Sequence, residues 1–391
     1  MHPKLSRRAE KVEPFHAMAF GQRAGELVAE GHDVVALSLG EPDFGAPAAV
    51  RQAMREAMDG RPLPYTPAMG APALRRAIAD FYRDRHGVDV DPGRILITSG
   101  ASAALLVVLA ATTDEGDEVV LADPSYPCNR QLIETFGGTV ASVVSTPATR
   151  FQLDLSSVEK AVTDRTTAVM IASPSNPTGT SIPFDELTAI CSFARAKGLW
   201  RVVDEIYLDL SDHEGGHPPR SVLTVDPDAI VINSFSKFFG MTGWRLGWAV
   251  LPEALVPSVE RLAANYFLCA SAPAQHAALA CFTPESLREA EERRLELVRR
   301  RELALAGLAA IGLGVPAVPD GAFYVYFDVT STGLESWEFC ARALEEAFVA
   351  LTPGKDFGAT TADTHVRMSY AASPETLKEG LSRLADFVAR L

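Results

Sequence analysis

The sequence predicts an α/β protein that has a large domain with a mainly parallel sheet flanked by helices, and a smaller α+β domain. Short apolar runs that end in small or polar residues have the pattern of buried strands that open into loops. Segments with helical spacing of apolar residues lie between these runs, and this alternation is typical of a parallel sheet covered on both faces. The five runs cover residues 94–102, 118–127, 167–179, 199–207 and 229–237.

The helices and the second domain follow in chain order. Apolar residues at helical spacing predict a helix over 74–82, and ALLVVLAA predicts another over 104–111. After about residue 285 the chain becomes rich in Arg and Glu, which predicts a long, largely exposed helix over 285–308. The remaining elements are a strand over 323–329, a helix over 337–348 and a strand over 365–371. We therefore expect a large domain over 46–285, and a small domain over 286–391 that is joined by residues 1–45 as an N-terminal arm.

Composition excludes several classes of protein. The 391 residues carry a formal charge of −14, which disfavours nucleic acid or an anionic membrane as a partner. The basic N-terminus is followed by no apolar segment of the kind found in secretory signals, and no apolar run reaches the roughly 18 residues of a membrane span. The scattered cysteines indicate neither a disulfide framework nor a zinc site, so we expect a soluble cytoplasmic protein without a metal. They are Cys128, Cys191, Cys269, Cys281 and Cys340.

Polar residues at the ends of the predicted strands point to one shared site, because ligands of open α/β sheets bind outside the carboxyl ends of the strands. The stretch SFSKFFGMTGWRLGW, residues 234–248, contains Lys237 among large apolar residues. Burial lowers the pKa of a lysine and frees its amine to attack carbonyls, which makes Lys237 a candidate Schiff-base lysine. Alternatively its stem packs and its ammonium reaches solvent.

Several neighbours of Lys237 suit a phosphate group. Ser234 and Ser236 offer hydroxyls, and Arg245 offers a planar fork that matches phosphate oxygens. Ala101 and Ser102 open a predicted helix directly after a strand, where backbone N–H groups and the positive helix end favour an anion. Together these residues indicate an anchored phosphate beside an amine nucleophile.

The adjacent strand ends suit an aromatic heterocycle. Asp204 ends an apolar strand and needs a cationic partner, which a protonated pyridine nitrogen or a distant arginine could provide. Asn176 and Tyr207 offer hydrogen bonds and Tyr126 an aromatic face. Read one at a time, Asn176 also fits a turn, Tyr207 a rim position and Tyr126 loop packing.

In combination these residues resemble the class I/II aminotransferases, which are fold type I pyridoxal phosphate (PLP) enzymes related to aspartate aminotransferase. The resemblance extends in the family's order from residue 37 to residue 371. The matching segments are LSLGEPDFGAP, YTPAMGAPALRRAI, ITSGASAAL, DPSYPCNR, ASPSNPTGT, VVDEIY, SFSKFFGMTGWRLGW and HVRMSYA.

The resemblance implies a role for each residue. Lys237 would bond to the cofactor and move a proton between the substrate α-carbon and C4′ of PLP. Asp204 would hold the pyridine nitrogen of PLP protonated. Asn176 and Tyr207 would form hydrogen bonds to the phenolic oxygen of PLP, and Tyr126 would stack on the ring. Arg367 would grip the substrate carboxylate, assisted by Asn176 and the backbone of Gly40. Tyr65 would reach the phosphate of the neighbouring subunit, which implies a homodimer with shared sites. The implied phosphate cup consists of Ala101, through its backbone, Ser102, Ser234, Ser236 and Arg245.

The implied reaction is ping-pong transfer of an amino group between an L-amino acid and a 2-oxo acid. Phe267 aligns near the arginine that reads the side-chain carboxylate in dicarboxylate-specific relatives, so a neutral or aromatic donor fits at least as well as aspartate. A carbon–sulfur β-lyase of the same fold stays open, because the core motifs do not separate elimination from transamination. A non-catalytic regulator on this fold is disfavoured, because about 35 residues before LSLGEPDF leave no room for a DNA-binding domain.

Two further motifs suggest other chemistry. Ser234 and Lys237 form S-x-x-K, the signature of serine acyl-enzymes, but the accompanying S-D-N and K-T-G motifs are absent from the sequence. HEGGH, from His213 to His217, matches a zinc-protease motif, yet its two central glycines and the two prolines that follow favour a surface loop over a helix.

Overall fold

A computed structural model describes residues 4–12 and 16–391 of the chain. Residues 1–3 and 13–15, which belong to the predicted N-terminal arm, lie outside the described residues. The α-helices are α1 (Arg7–Lys11), α2 (His16–Ala29), α3 (Ala48–Ala57), α4 (Pro72–His86), α5 (Ala101–Thr112), α6 (Pro127–Thr135), α7 (Leu155–Ala161), α8 (Phe184–Ala196), α9 (Val256–Phe267), α10 (Ala272–Ala278), α11 (Pro284–Ile311), α12 (Ser336–Ala347) and α13 (Pro374–Val388). The strands are β1 (Val35–Ala36), β2 (Ile95–Thr98), β3 (Glu118–Asp123), β4 (Thr139–Val144), β5 (Thr166–Ala172), β6 (Trp200–Asp204), β7 (Ile230–Ser234), β8 (Gly247–Val250), β9 (Tyr324–Asp328), β10 (Val349–Ala350), β11 (Thr352–Pro353) and β12 (His365–Ser369).

A seven-stranded sheet with the order β2-β8-β7-β6-β5-β3-β4 forms the centre of the fold. The pairs β3–β4, β3–β5, β5–β6 and β6–β7 are parallel, and β8 runs antiparallel to both of its neighbours. The mainly parallel sheet is therefore confirmed, and all five predicted strands belong to it. The sequence prediction did not include β4, an edge strand interrupted by polar residues, or β8, a four-residue strand that begins at the end of the 234–248 stretch.

Both faces of this sheet are buried, as the apolar runs predict. Along β5, Val169 and Ile171 pack into one apolar cluster, while Ala168 and Met170 pack into another on the opposite face. Successive side chains of a strand point to opposite faces, so a strand covered on both sides must be apolar at every position. This explains why the inner strands of the large sheet do not alternate between apolar and polar residues, whereas the edge strand β4 contains exposed polar positions.

The long helix α11 differs from its prediction as a largely exposed helix. Its ends follow familiar signals, with Thr283 as the N-cap, Pro284 in the first turn and the left-handed Gly312 after the last turn. Three of its arginines, Arg294, Arg300 and Arg301, are buried, however, and two of these form ion pairs with residues outside the helix. Arg300 lies 2.9 Å from Asp43, and Arg301 lies 2.7 Å from Asp212.

A second sheet, with the order β11-β12-β9, is antiparallel and contains the two predicted strands near the C-terminus. The short strands β1 and β10 pair in parallel, and the backbone N–H of Ser369 donates to the Leu37 carbonyl at 2.7 Å. These contacts bring residues 38–41 beside β12, at the edge where the site lies. The domain boundaries at residues 46 and 285 stay a prediction.

The described helices also bear on the membrane question. None of the helices in residues 4–12 and 16–391 combines the length and the apolarity that crossing a bilayer requires.

Candidate active site

A cavity of about 310 Å³ lies at the carboxyl ends of the parallel strands. Because β8 is antiparallel, its first residues lie at this same edge, which places Arg245 beside the ends of β2 and β7. Tyr65 lies outside the cavity and is 78% exposed. All the other predicted site residues line the cavity: Gly40, Ala101, Ser102, Tyr126, Asn176, Asp204, Tyr207, Ser234, Ser236, Lys237, Arg245 and Arg367.

Lys237 follows β7 and points its amine into the cavity. Its Nζ donates to the Gly40 carbonyl at 2.6 Å and lies 5.6 Å from the centre of the Tyr207 ring. Burial lowers the pKa of Lys237 to about 8, and the positive charges of Arg367 and Arg245 act in the same direction. About a tenth of this amine is therefore unprotonated at pH 7, far more than for a lysine with the ordinary pKa of 10.5, and the unprotonated form is the nucleophile.

Asp204 occupies the end of β6 and is buried. One carboxylate oxygen accepts from the backbone N–H of Ile206 at 3.0 Å, and the other oxygen has no hydrogen-bond donor among the described residues. Burial raises the pKa of Asp204 to about 6, which the Ile206 hydrogen bond and the charge of Lys237 partly oppose. A cationic group of a ligand at this position would stabilise the carboxylate.

The N-terminus of α5 and the side chain of Arg245 form a positively charged corner. Gly100 precedes the helix with φ +84°, and a Cβ at this position would lie 2.5 Å from Nη2 of Arg245, so only glycine allows this approach. The guanidinium of Arg245 is exposed and donates to the Thr242 carbonyl at 3.0 Å, a neutral partner. Ser102 in the first turn is also exposed, and the corner as a whole suits an anion.

The two serines of the 234–248 stretch are buried and differ in their hydrogen bonds. The Ser234 hydroxyl donates to the Leu246 carbonyl at 3.2 Å and accepts from the Ser236 backbone N–H at 3.0 Å. The Lys237 amine instead bonds to Gly40. Ser234 is thus not paired with Lys237 in the way that a serine acyl-enzyme requires.

Arg367 projects from β12 and is 3% exposed. Its terminal nitrogens donate to Asn176 Oδ1 at 2.8 Å, to the Ser38 carbonyl at 2.7 Å and to Thr352 Oγ1 at 3.2 Å. Its Nε is buried without a hydrogen-bond partner among the described residues. All three acceptors are neutral, so no carboxylate of the described residues lies at hydrogen-bond distance from this buried guanidinium.

The sequence profile of the family "Aminotransferase class I and II" matches residues 32–384. The chain belongs to this family.

Similar proteins support the assignment to the aminotransferases over the whole length of the chain. A valine–pyruvate aminotransferase of Mycobacterium tuberculosis is 38% identical over 96% of this chain and 97% of its own, and an aspartate/prephenate aminotransferase of Thermus thermophilus is 37% identical over 99% of both chains. A crystal structure of an aminotransferase from Mycobacterium tuberculosis matches with a TM-score of 0.95 at 37% identity, covering 100% of both chains. Aspartate aminotransferase from Thermus thermophilus with maleate matches with a TM-score of 0.92 at 36% identity, over 98% of this chain and 100% of that chain.

This chain is accordingly an aminotransferase of fold type I, and the predictions of its fold and its general activity are confirmed. The alternative prediction of a serine acyl-enzyme is wrong. The S-x-x-K spacing arises here because a strand end and a following lysine both belong to the aminotransferase site.

Two groups of cavity residues in this aminotransferase were not predicted from the sequence. Tyr324 at the start of β9 lies 2.9 Å, oxygen to oxygen, from the Tyr207 hydroxyl, and the face of its ring lies 4.5 Å from Cζ of Arg367. Ala17, Met18 and Leu39 form an apolar wall at the cavity mouth. Leu39 adjoins Gly40 in the LSLGEPDFGAP segment, whereas Ala17, Met18 and Tyr324 lie in ordinary apolar contexts of the sequence. Only their position in the fold relates these three residues to the site.

The HEGGH segment lies away from this site. A bridge between Glu214 and His217 closes a tight turn in place of a helix, so the loop interpretation is confirmed. His213 and His217 therefore do not share a helical face. Within the described residues, no cluster of three or more His, Cys, Asp or Glu side chains could hold a metal ion.

Proposed function

We propose that this aminotransferase uses PLP to move an amino group between an L-amino acid with a neutral side chain and a 2-oxo acid. The observation that carries the proposal is the convergence of four groups in one cavity: Lys237, Asp204, Arg245 and Arg367. They offer an amine nucleophile, a carboxylate without a cationic partner at hydrogen-bond distance, and two guanidiniums whose described hydrogen-bond partners are neutral.

The residues present fit PLP from one end of the cavity to the other. The corner formed by the α5 N-terminus, Ser236 and Arg245 would hold the phosphate, with Ala101 contributing its backbone N–H and Ser102 its hydroxyl. The unshared oxygen of Asp204 would pair with a protonated pyridine nitrogen. Bound there, PLP supplies an electron sink for negative charge that develops on the substrate α-carbon.

The remaining contacts proposed for the ring come from side chains of neighbouring strand ends. Tyr207 and Asn176 would donate hydrogen bonds to its phenolic oxygen, and Tyr126 would cover one face. Asn176 already accepts from Arg367 through its Oδ1, which leaves its amide hydrogens to donate. One asparagine thus contacts both the proposed substrate subsite and the proposed ring position.

Lys237 carries the chemistry in this proposal. Its amine would hold the cofactor covalently until the amino group of a substrate takes its place, and the freed amine would then act as the base that accepts the proton of the substrate α-carbon. The lowered pKa suits this role, because a base must be unprotonated at the working pH to accept a proton. The Gly40 carbonyl, 2.6 Å from Nζ, would keep the amine oriented into the cavity.

Arg367 is proposed to bind the substrate α-carboxylate. Its guanidinium is held by Asn176, Ser38 and Thr352, so the fork is oriented before the substrate arrives. A carboxylate supplies the negative charge that this buried cation lacks. In the two half-reactions of transamination, Arg367 would bind the carboxylate of the amino acid in the first and the carboxylate of the 2-oxo acid in the second.

The proposed preference for neutral side chains follows from the charges in the cavity. The basic residues that line it, within the described chain, are Lys237, Arg245 and Arg367, and each has a proposed partner. The mouth is formed by Ala17, Met18 and Leu39. Phe267 is the last residue of α9 and does not line the cavity. A second carboxylate on the substrate would therefore be desolvated without a cationic partner from this chain.

A substrate panel tests this preference. With pyruvate as acceptor we expect kcat/KM for valine and phenylalanine to exceed that for aspartate at least about tenfold, because an unpaired carboxylate costs more than 1.4 kcal/mol to bury. Asparagine is the matched control, since it differs from aspartate in charge and hardly in size. A preference for aspartate over asparagine would contradict the proposal and would indicate that a partner subunit supplies a cation.

We also propose a cytoplasmic homodimer in which Tyr65 of each subunit reaches the phosphate of the other. Tyr65 is 78% exposed and outside its own cavity, and the phosphate corner with Ser102 and Arg245 is open on this chain. Light scattering should give twice the chain mass of 42.0 kDa. A monomer at micromolar concentration with full activity would contradict shared sites.

The cysteines are all free, in keeping with a reducing compartment, and cell fractionation tests the location.

A further inference from the structure

Tyr324 occupies the point where three parts of the site meet. It is 1% exposed and lies at the start of β9, and its hydroxyl is 2.9 Å from that of Tyr207. The face of its ring lies 4.5 Å from Cζ of Arg367. The backbone of Gly40 packs against the Tyr324 hydroxyl so closely that a Cβ at Gly40 would lie 2.7 Å from the Tyr324 oxygen. One side chain therefore contacts the proposed carboxylate subsite, the proposed ring subsite and the backbone that holds Lys237.

The hydrogen bond between the two hydroxyls has a direction that matters. Each phenol has one proton to donate, and burial raises the pKa of both Tyr207 and Tyr324, so both stay protonated. If Tyr207 donated to Tyr324, Tyr207 itself would have no proton left for a ligand. If Tyr324 donates, the Tyr207 proton is free to point into the cavity, and accepting a hydrogen bond makes Tyr207 a stronger donor.

The aromatic ring has a separate task. A guanidinium over the face of a tyrosine is attracted by the ring's negative face, and this attraction grows when water is excluded. Phe357 lies near the same guanidinium, with its ring centre 5.0 Å from Cζ, so Arg367 is held by aromatic rings as well as by its hydrogen bonds. The ring of Tyr324 thus contributes to the orientation of the fork, independently of its hydroxyl.

We propose that Tyr324 is a positioning residue with two separable functions: its hydroxyl directs the Tyr207 proton towards the phenolic oxygen of the cofactor, and its ring orients Arg367 for the substrate carboxylate. This inference rests on the proposed function, because both targets belong to the PLP and amino acid subsites. It assigns the tyrosine pair a fixed polarity, in which Tyr324 donates and Tyr207 accepts.

Tyr324→Phe tests the hydroxyl. A donor to the phenolic oxygen favours its anionic form, so weakening the Tyr207 bond should raise the pH midpoint of the bound cofactor's absorption change and lower kcat about five- to tenfold. The midpoint is read by spectroscopy without any substrate. Tyr326→Phe is the matched control: Tyr326 lies on the same strand, is equally buried and donates or accepts at 2.7 Å with Thr361, outside the cavity lining. We expect the midpoint of the Tyr326→Phe variant to equal that of the wild type.

A double-mutant cycle tests whether Tyr324 acts through Tyr207. In a Tyr207→Phe background, the additional change Tyr324→Phe should leave the midpoint and kcat where Tyr207→Phe put them. 2-Methylalanine is a substrate analogue without an α-hydrogen, so it can bind but cannot be transaminated. Tyr324→Leu, which also removes the ring, should weaken its binding about two- to tenfold, whereas Tyr324→Phe should leave its binding unchanged.

The outcomes separate this inference from the proposed function. If the wild-type protein binds no PLP, the proposed function fails. If the wild type binds PLP and transaminates, an unchanged or lowered midpoint in Tyr324→Phe, or additive effects in the cycle, overturn the positioning role alone. Equal binding of 2-methylalanine by the Leu and Phe variants overturns the role of the ring.

Discussion

Replacing Lys237 with alanine should reduce transamination at least about 10⁴-fold, because the variant loses both the covalent attachment of the cofactor and the base that moves the α-proton. The fold should survive, since the change removes a costly buried amine and leaves the apolar packing of the neighbouring phenylalanines. The measurements are steady-state turnover and the absorption spectrum after addition of PLP. Lys160→Ala, on the exposed side of α7, is the control and should retain wild-type turnover.

The same lysine predicts a pH dependence whose sign follows from its pKa. The unprotonated amine attacks the aldehyde, and the pKa of Lys237 is lowered to about 8 by burial. The rate of PLP binding to cofactor-free protein should therefore rise with pH up to about 8 and level off above it. A rate that keeps rising up to the ordinary lysine pKa of 10.5 would show that the amine is not desolvated.

Near wild-type turnover of Lys237→Ala would refute the assignment of the lysine itself.

Replacing Arg367 with alanine should lower kcat/KM for every α-amino acid by a similar factor. Removing one partner of a buried charge pair costs about 3–5 kcal/mol, which corresponds to a loss of roughly 150- to 5,000-fold in kcat/KM. The loss should be equal for valine, phenylalanine and asparagine, because all of them share the carboxylate. Dissociation constants for 2-methylalanine, measured by absorption, report the same loss without turnover.

Arg367→Lys is the matched variant, since it keeps the charge and removes the planar fork. The loss of kcat/KM should be smaller for Arg367→Lys than for Arg367→Ala. The lysine ammonium still attracts a carboxylate, but it cannot form the paired hydrogen bonds of a planar guanidinium. A loss confined to one class of side chain would move Arg367 from carboxylate binding to side-chain recognition.

Much of the fold could be predicted because buried parallel strands have a simple signature. Val169 and Ile171 point to one face and Ala168 and Met170 to the other, so the whole run is apolar and easily recognised. The strand β8 is also apolar, but it directly continues the 234–248 stretch, so no separate run marked it as a strand. The exposure of α11 could not be inferred from its charges, since the ion pairs of Arg300 and Arg301 join residues far apart in sequence.

The candidate site was predictable where its residues follow strands. Parallel strands end at one edge, so Asn176, Asp204 and Lys237 had to converge once the sheet order was fixed. Tyr324 and Met18 come from elements outside that sheet, and they reach the cavity only through the packing of β9 and α2 against it. No local spacing encodes that packing, so the sequence pattern did not identify them.

The most direct test of the central claim is a single half-reaction. Protein loaded with PLP is mixed with valine and no 2-oxo acid, and the absorption spectrum and the released products are followed. Transamination predicts loss of the yellow band, one equivalent of 2-oxo acid per site, no ammonia, and return of the band when pyruvate is added. The same experiment with cysteine contradicts the account if pyruvate and ammonia are released continuously without an acceptor, which is the outcome expected of a carbon–sulfur β-lyase.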